Sequence, residues 1–382
     1  MVGLALEGGG AAGAFHIGAV RALLEDGLSF DGVTGTSIGA INGAAIAQGD
    51  FEKTPELWRR MNSESLFGMS EAQLAALADW NFSSDTLRSL KSLWDDTRKS
   101  HGIDTKNIRL FLEDIIDEQK LRTSGVDFGL VTFCLSDFKP CELMLSDIPE
   151  GRLVDYILAS AYLPCFSPEP MDGKYYVDGG FYNNLPLNLL QARGFSEIYA
   201  VHTNAVGVVR KFKVDKDTTV HHIYPSEPLV GLLGFVPDRI EEAMQMGYCD
   251  AMRYLKKLSG RKYYILSETV PKKFFPALAK VSEKELAAMT KTLYVPEGDL
   301  RRLWFEKLLP QVTKKLDLSK NDSYEQIGLA LLEYRAEVCG MERFCVRSFD
   351  TFIEELKELP NPSEHEDPLL VAASGVVLRR MC

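Results

Sequence analysis

Two glycines set two residues either side of a serine, Gly35-Thr36-Ser37-Ile38-Gly39, constrain this chain more than any other feature. A serine at a sharp strand-to-helix turn needs small neighbours, because side chains two residues before and after it would collide. The flanks fit that geometry. A short apolar stretch ending at Val33 predicts a strand before the turn. Ile38 to Gln48, small and apolar on every side and stopped by Gly49, predicts a buried helix after it. The positive end of that helix would face Ser37 and favour developing negative charge there. The bland alternative is a glycine-rich turn bearing a solvated serine, and the strand-turn-helix context favours a nucleophile over it.

A second glycine run lies upstream. Val2 to Leu6 reads as a buried strand ending in Gly8-Gly9-Gly10-Ala11-Ala12-Gly13, and Ala14 to Glu25 has helical spacing with Gly27 as its stop. Consecutive glycines leave backbone N–H groups unobstructed, which suits an oxyanion cradle. The same residues also spell G-x-G-x-x-G through Gly8, Gly10 and Gly13, a dinucleotide fingerprint that wants an acid about 20 positions on. Asp31 is the candidate, yet it precedes the strand leading to Ser37. An oxyanion loop and a nucleotide loop both stand at this point.

A nucleophilic serine needs a base. None of the six histidines (His16, His101, His202, His221, His222 and His365) has a distinctive setting; His16 reads as a packed helix residue and His221-His222 as a strand-side pair. Asp178-Gly179-Gly180 is the better candidate, at the end of a strand over Lys174 to Val177. A carboxylate at a strand end shares an edge with the other strand-end loops of an α/β sheet. An ordinary Asp-Gly turn is the competing explanation.

Alternating strands and helices predict a three-layer α/β/α sandwich with a mostly parallel central sheet, plus a helical C-terminal region. The expected organisation is a catalytic core over 1–205, a helical cap insertion over about 51–122, a continuation of the core over 206–269, and a helical region of unknown role over 270–382. Trp58, Trp80 and Trp94 in the insertion read either as a lipid-facing cap or as inward packing. Residues from Asn204 to Thr219 read as a polar loop. With 46% hydrophobic and 25% charged residues the composition is that of a globular protein, and a net charge of -11 argues against a nucleic-acid partner. Arg253, Lys256, Lys257, Arg261 and Lys262 form a local basic patch that could touch a membrane surface. No apolar run approaches the ~18 residues of a membrane span, and no signal peptide is evident. Seven cysteines with no Cys-x-x-Cys pair predict reduced thiols, no metal site and a cytoplasmic protein peripheral to membranes at most.

Taken together, Gly8 to Gly13, Gly35 to Gly39 and Asp178 to Gly180 resemble, in order and spacing, the signature blocks of the patatin-like phospholipases. Ala159-Ser160-Ala161-Tyr162-Leu163-Pro164 and the run from Tyr176 to Pro186 resemble family segments as well. The similarity covers residues 1 to 205, with a weaker match from Ile223 to Leu255. The resemblance implies a lipid acyl hydrolase of the phospholipase A or lysophospholipase kind, acting without cofactor or metal. It assigns Ser37 as nucleophile and Asp178 as general base, without histidine. It gives the oxyanion hole to Gly8, Gly9, Gly10 and Ala11, and supporting roles to Gly13, Gly35, Gly39, Gly179, Gly180 and Asn184. A lipid or fatty-acyl ester would be the substrate, and a nucleotide site becomes improbable. Two departures stand out: Ala12 replaces the family's usual Arg or Lys, and Glu7 its frequent Asp. Loss of that cation implies a preference for less charged esters, or a non-catalytic lipid-binding or storage protein of the same fold.

Overall fold

A computed structural model of the chain describes residues 1–70, 73–74, 102–290, 300–319, 321–363 and 365–381. Two compact units emerge, Met1–Met252 and Arg253–Cys382.

The first unit is built on a seven-stranded sheet in the order β4-β3-β2-β1-β6-β7, with β5 added on β3. The strands are β1 (Val2–Leu6), β2 (Gly32–Thr36), β3 (Asp127–Cys134), β4 (Lys139–Met144), β5 (Tyr176–Asp178), β6 (Glu197–Val201) and β7 (Thr219–Ile223). Pairs β1–β2, β1–β6, β2–β3 and β6–β7 are parallel; β4 and β5 run antiparallel to β3. The mostly parallel sheet and its flanking helices are the expected α/β/α layers. Side-chain alternation along the strands explains both faces. Leu6, Val33 and Phe128 pack toward Gly43 of helix α2 (Ile38–Ala47), beside α1 (Ala14–Glu25). On the opposite face Ala5, Ile198 and Ala200 join Leu187, Leu190 and Phe195 around α3 (Leu187–Ala192).

Helix α1 and strands β1 and β6 fall on the residues that periodicity indicates, whereas β2 does not. It starts at Gly32 and continues past Val33 to Thr36, because Gly35 lies in register between Leu6 of β1 and Leu130 of β3. Two paired neighbours override the turn propensity of glycine.

Within the expected cap, Trp58 is 1% exposed, stacks on Phe235 at 6.1 Å between ring centroids and donates its ring N–H to Asn42 Oδ1 at 3.0 Å. It packs inward rather than facing lipid. Trp80 and Trp94 lie outside the described residues.

The second unit begins earlier than residue 270, since Tyr263 and Ile265 sit in one apolar cluster with Phe274, Trp304, Phe352 and Val377. A two-stranded parallel sheet, Tyr264–Ile265 with Val346–Arg347, ties residues 253–269 to this helical unit. The basic patch is engaged there in structure: Arg253 lies over the Tyr264 ring, Arg261 donates to the Leu316 and Asp317 carbonyls, and Lys262 pairs with Glu337. Among the described residues no helix is long and apolar enough to cross a membrane.

Candidate active site

Sheet register brings the two candidate side chains together. Strand β4 occupies one edge of Thr132–Cys134, so β5 must pair on the other edge, in line with β2. Strand β2 climbs along β3 until Thr36 reaches Val131; β5 descends along the same edge until Asp178 reaches Thr132. Their C-terminal ends therefore meet head to head. Ser37 follows Thr36, and its hydroxyl comes within hydrogen-bonding reach of the Asp178 carboxylate. Asp178 does not reach this point on the edge shared by parallel strand ends, as its position in the sequence suggests; its strand is antiparallel and arrives from the opposite direction.

The backbone at Ser37 adopts φ 58 and ψ -125, a sparsely populated conformation for a residue with a Cβ. The neighbouring glycines permit it: a Cβ on Gly35 would lie 2.2 Å from the Gly39 carbonyl carbon. The buried N–H of Ser37 donates to Ser160 Oγ at 2.9 Å, and the Ser160 hydroxyl donates to the Val131 carbonyl at 2.7 Å. Ser160 is fully buried and holds the strained turn against β3. In the sequence it is one small residue in a helix, with no local signal of this role.

Asp178 is 5% exposed. Burial pushes its carboxyl up to about 6, against the downward pull of hydrogen bonds from Ser37 and from the Gly180 N–H, 2.7 Å from Oδ1. Among the described residues no histidine hydrogen-bonds to Ser37. Full burial holds His16 near 3, and its Nδ1 meets Asn42 Nδ2 at 3.3 Å. His202 Nε2 faces His222 Nδ1 at 2.9 Å.

The glycine loop differs in detail from expectation. The N–H groups of Gly8 and Ala11 are already engaged, donating to the Asn184 and Leu232 carbonyls at 3.0 and 2.9 Å. Within the described residues, the amides of Gly9 and Gly10 keep their donors open, as does Ile38 at the start of α2. Gly10, Ser37 and Ile38 line the same pocket. Ile38 was not among the expected donors, although the residue after an elbow nucleophile is a standard source. Glu7 fixes the loop from behind: its carboxylate accepts from the Thr203 and Asn204 N–H groups at 2.7 and 3.1 Å, while Thr203 Oγ1 donates to the Gly8 carbonyl at 2.6 Å. Asn184 braces the same loop through its Nδ2, 3.4 Å from the Gly8 carbonyl and 3.5 Å from Glu7 Oε1. Ala12 is buried and brings no cation.

Apart from Ser37, every residue lining the pocket is apolar or glycine; Ile41, Phe67, Phe166 and Phe235 are representative. The nucleotide alternative fails on geometry. Asp31 accepts from the Val2 N–H at 2.8 Å, at the start of β1, the end opposite the glycine loop, and so cannot meet a ribose beside Gly8. No group of three or more His, Cys, Asp or Glu side chains among the described residues is placed to hold a metal ion.

A mostly parallel α/β sheet that carries a serine at a strained strand-to-helix turn, a buried acid beside it and an apolar pocket defines a class of serine-centred α/β proteins. Residues 4–190 match the family model of the patatin-like phospholipases, so the chain carries a domain of that family over this stretch. It is 28% identical to lysophospholipase NTE1 of Mycosarcoma maydis over 207 residues, 54% of this chain and 10% of that one. It is likewise 28% identical to patatin-like phospholipase domain-containing protein 6 of Homo sapiens over 203 residues, 52% of this chain and 13% of that protein. The match thus spans only about a tenth of these relatives' length. The crystal structure of VipD from Legionella pneumophila aligns with a TM-score of 0.39 and 14% identity, over 98% of this chain and 91% of that one.

Proposed function

We propose that the chain is a lipid acyl hydrolase, of the phospholipase A or lysophospholipase kind, that cleaves carboxylic esters through an acyl-Ser37 intermediate. The observation that carries this reading is the Ser37 hydroxyl beside the buried Asp178 carboxylate on the wall of an apolar pocket. Asp178 takes the hydroxyl proton as Ser37 Oγ attacks the ester carbonyl. Its carboxyl, raised to about 6, is a stronger base than an exposed aspartate yet still ionised near neutral pH. The N–H groups of Gly9, Gly10 and Ile38 receive the oxyanion, each well-placed donor contributing about 3 kcal/mol. The intermediate collapses, the alcohol leaves with the proton from Asp178, and the acyl chain stays against the apolar lining. Asp178 then deprotonates a water, which attacks the acyl carbonyl and releases the fatty acid and Ser37. No step requires a metal or cofactor.

A fluorophosphonate probe tests the nucleophile, because only an activated serine reacts. The expected result is stoichiometric labelling at Ser37, found by peptide mass spectrometry, with fatty acid released from a mixed lipid extract. A folded protein that takes no label and releases no fatty acid overturns the proposal. If that protein still bound fatty acid, the buried Ala12 in place of a cation would favour the lipid-binding reading.

Ser160 positions the nucleophile in this scheme. Ser160→Ala leaves the Ser37 N–H buried without a partner, at a cost of about 1–3 kcal/mol. If the loss falls on the attacking geometry, kcat drops about 10- to 100-fold. KM should stay near the wild-type value, since Ser160 does not line the pocket. Steady-state kinetics on a soluble ester separate the two terms; an unchanged kcat removes the positioning role.

A further inference from the structure

The segment joining β6 to β7 is fastened to both halves of the candidate site. The Val208 N–H donates to the Gly180 carbonyl at 2.8 Å, and the Val208 carbonyl accepts from the Asn184 N–H at 2.7 Å. On the other side, a Cβ on Gly9 would lie 2.9 Å from the Ala205 Cβ, so the segment also abuts the glycine loop. A backbone anchored this firmly would ordinarily turn polar side chains outward. Here Val206 is 70% exposed, Val209 45%, Val208 43% and Val214 41%. Single exposed apolar residues are common, but a local concentration of them marks an interaction surface.

Charge gives that surface its direction. Arg210, Lys211, Lys213 and Lys216 are interleaved with the valines and exposed. Arg210 lies 4.4 Å over the Tyr182 ring, close to the Asp178-Gly179-Gly180 turn. No ion pair engages Lys211, Lys213 or Lys216 among the described residues. Asp215 and Asp217 are the acids nearby, so the stretch is net positive in a chain whose net charge is -11. The basic patch at 253–262 makes the contrast: Arg253, Arg261 and Lys262 there are held by internal partners. Apolar side chains that enter the headgroup boundary, beside cations that meet lipid phosphates and carboxylates, are what an anionic bilayer surface recognises.

We propose that residues 206–216 form a docking surface for anionic lipid bilayers, set beside the site so that docking brings the site to the membrane. Its purpose rests on the acyl-hydrolase reading, but binding is measured without hydrolysis. The experiment is co-sedimentation of the full chain with vesicles of phosphatidylcholine alone, or of phosphatidylcholine with phosphatidylserine, at low and high salt. The expected result is binding about tenfold or more tighter to the anionic vesicles, weakened by salt. The triple variant Lys211→Glu, Lys213→Glu, Lys216→Glu should lose that preference. Val206→Asp with Val209→Asp should weaken binding to both vesicles. All variants should hydrolyse a soluble short-chain ester as the wild type does. Equal binding to both vesicles, binding to neither, or variants that bind like the wild type overturn the proposal. So does loss of soluble-ester hydrolysis in the variants, which would make the segment part of the site. A wild type that binds anionic vesicles yet cleaves no ester leaves docking standing and fells the hydrolase reading.

Discussion

Replacing Ser37 with alanine is expected to lower ester hydrolysis by about 10⁴-fold or more and to abolish fluorophosphonate labelling, because among the described residues Ser37 is the one hydroxyl-bearing residue lining the pocket. Stability gives a second readout. Ser37 is held at φ 58 by its neighbours, and alanine keeps the Cβ that makes this conformation costly. Ser37→Gly removes it. Both variants should be inactive, while the glycine variant should exceed the alanine variant by about 1 kcal/mol in denaturant unfolding, the low end of such strain. The pairing of results separates a serine kept for chemistry from one kept for the turn. If Ser37→Ala turned over ester at the wild-type rate, both the nucleophile and the proposed reaction would be lost.

How much of this could be read from the chain depends on the range of the interactions involved. Local signals carried well: glycine spacing around Ser37, helical periodicity over Ala14–Glu25, and the apolar runs Val2–Leu6 and Glu197–Val201 all describe elements that form where their residues indicate. Pairing between distant segments was harder to read. Nothing in Tyr176-Val177-Asp178 says that it will run antiparallel along β3, and that direction, not a shared parallel edge, sets Asp178 against Ser37. Hydrogen-bond occupancy is equally non-local. Gly8 and Ala11 look like free donors in the sequence, yet Asn184 and Leu232, far along the chain, supply their acceptors. The parallel pairing of Tyr264–Ile265 with Val346–Arg347 joins stretches too short to show a period, which is why the second unit begins before the sequence suggests. The segment from Asn204 to Thr219 is polar by composition, and that composition shows neither the anchoring of Val208 to Gly180 and Asn184 nor the exposure of four valines.

Asp178→Asn is expected to cost activity and return stability, and pH should separate the two. Asparagine keeps an acceptor for the Gly180 N–H but cannot take the Ser37 proton, so turnover should fall by about 10³- to 10⁴-fold. In the wild type the folded carboxyl is raised from 3.8 to about 6. Between those values the folded state binds more proton than the unfolded chain, so stability declines as pH rises through the window, and the full cost is present above it. A shift of about two pH units corresponds to roughly 3 kcal/mol. Asparagine does not titrate, and between pH 4 and pH 7 the variant should gain on the wild type by up to about that amount in urea unfolding. Activity runs the other way. Only the carboxylate can accept the proton, so wild-type kcat/KM should climb with pH through an acidic limb near 6, set by the buried group. A limb near the ordinary aspartate value, with no relative gain for the variant, would mean that water reaches Asp178 and that its burial does not make it the base. Stability sacrificed at the same residue and over the same pH range in which activity appears is the signature of a carboxylate kept in an apolar setting for its chemistry.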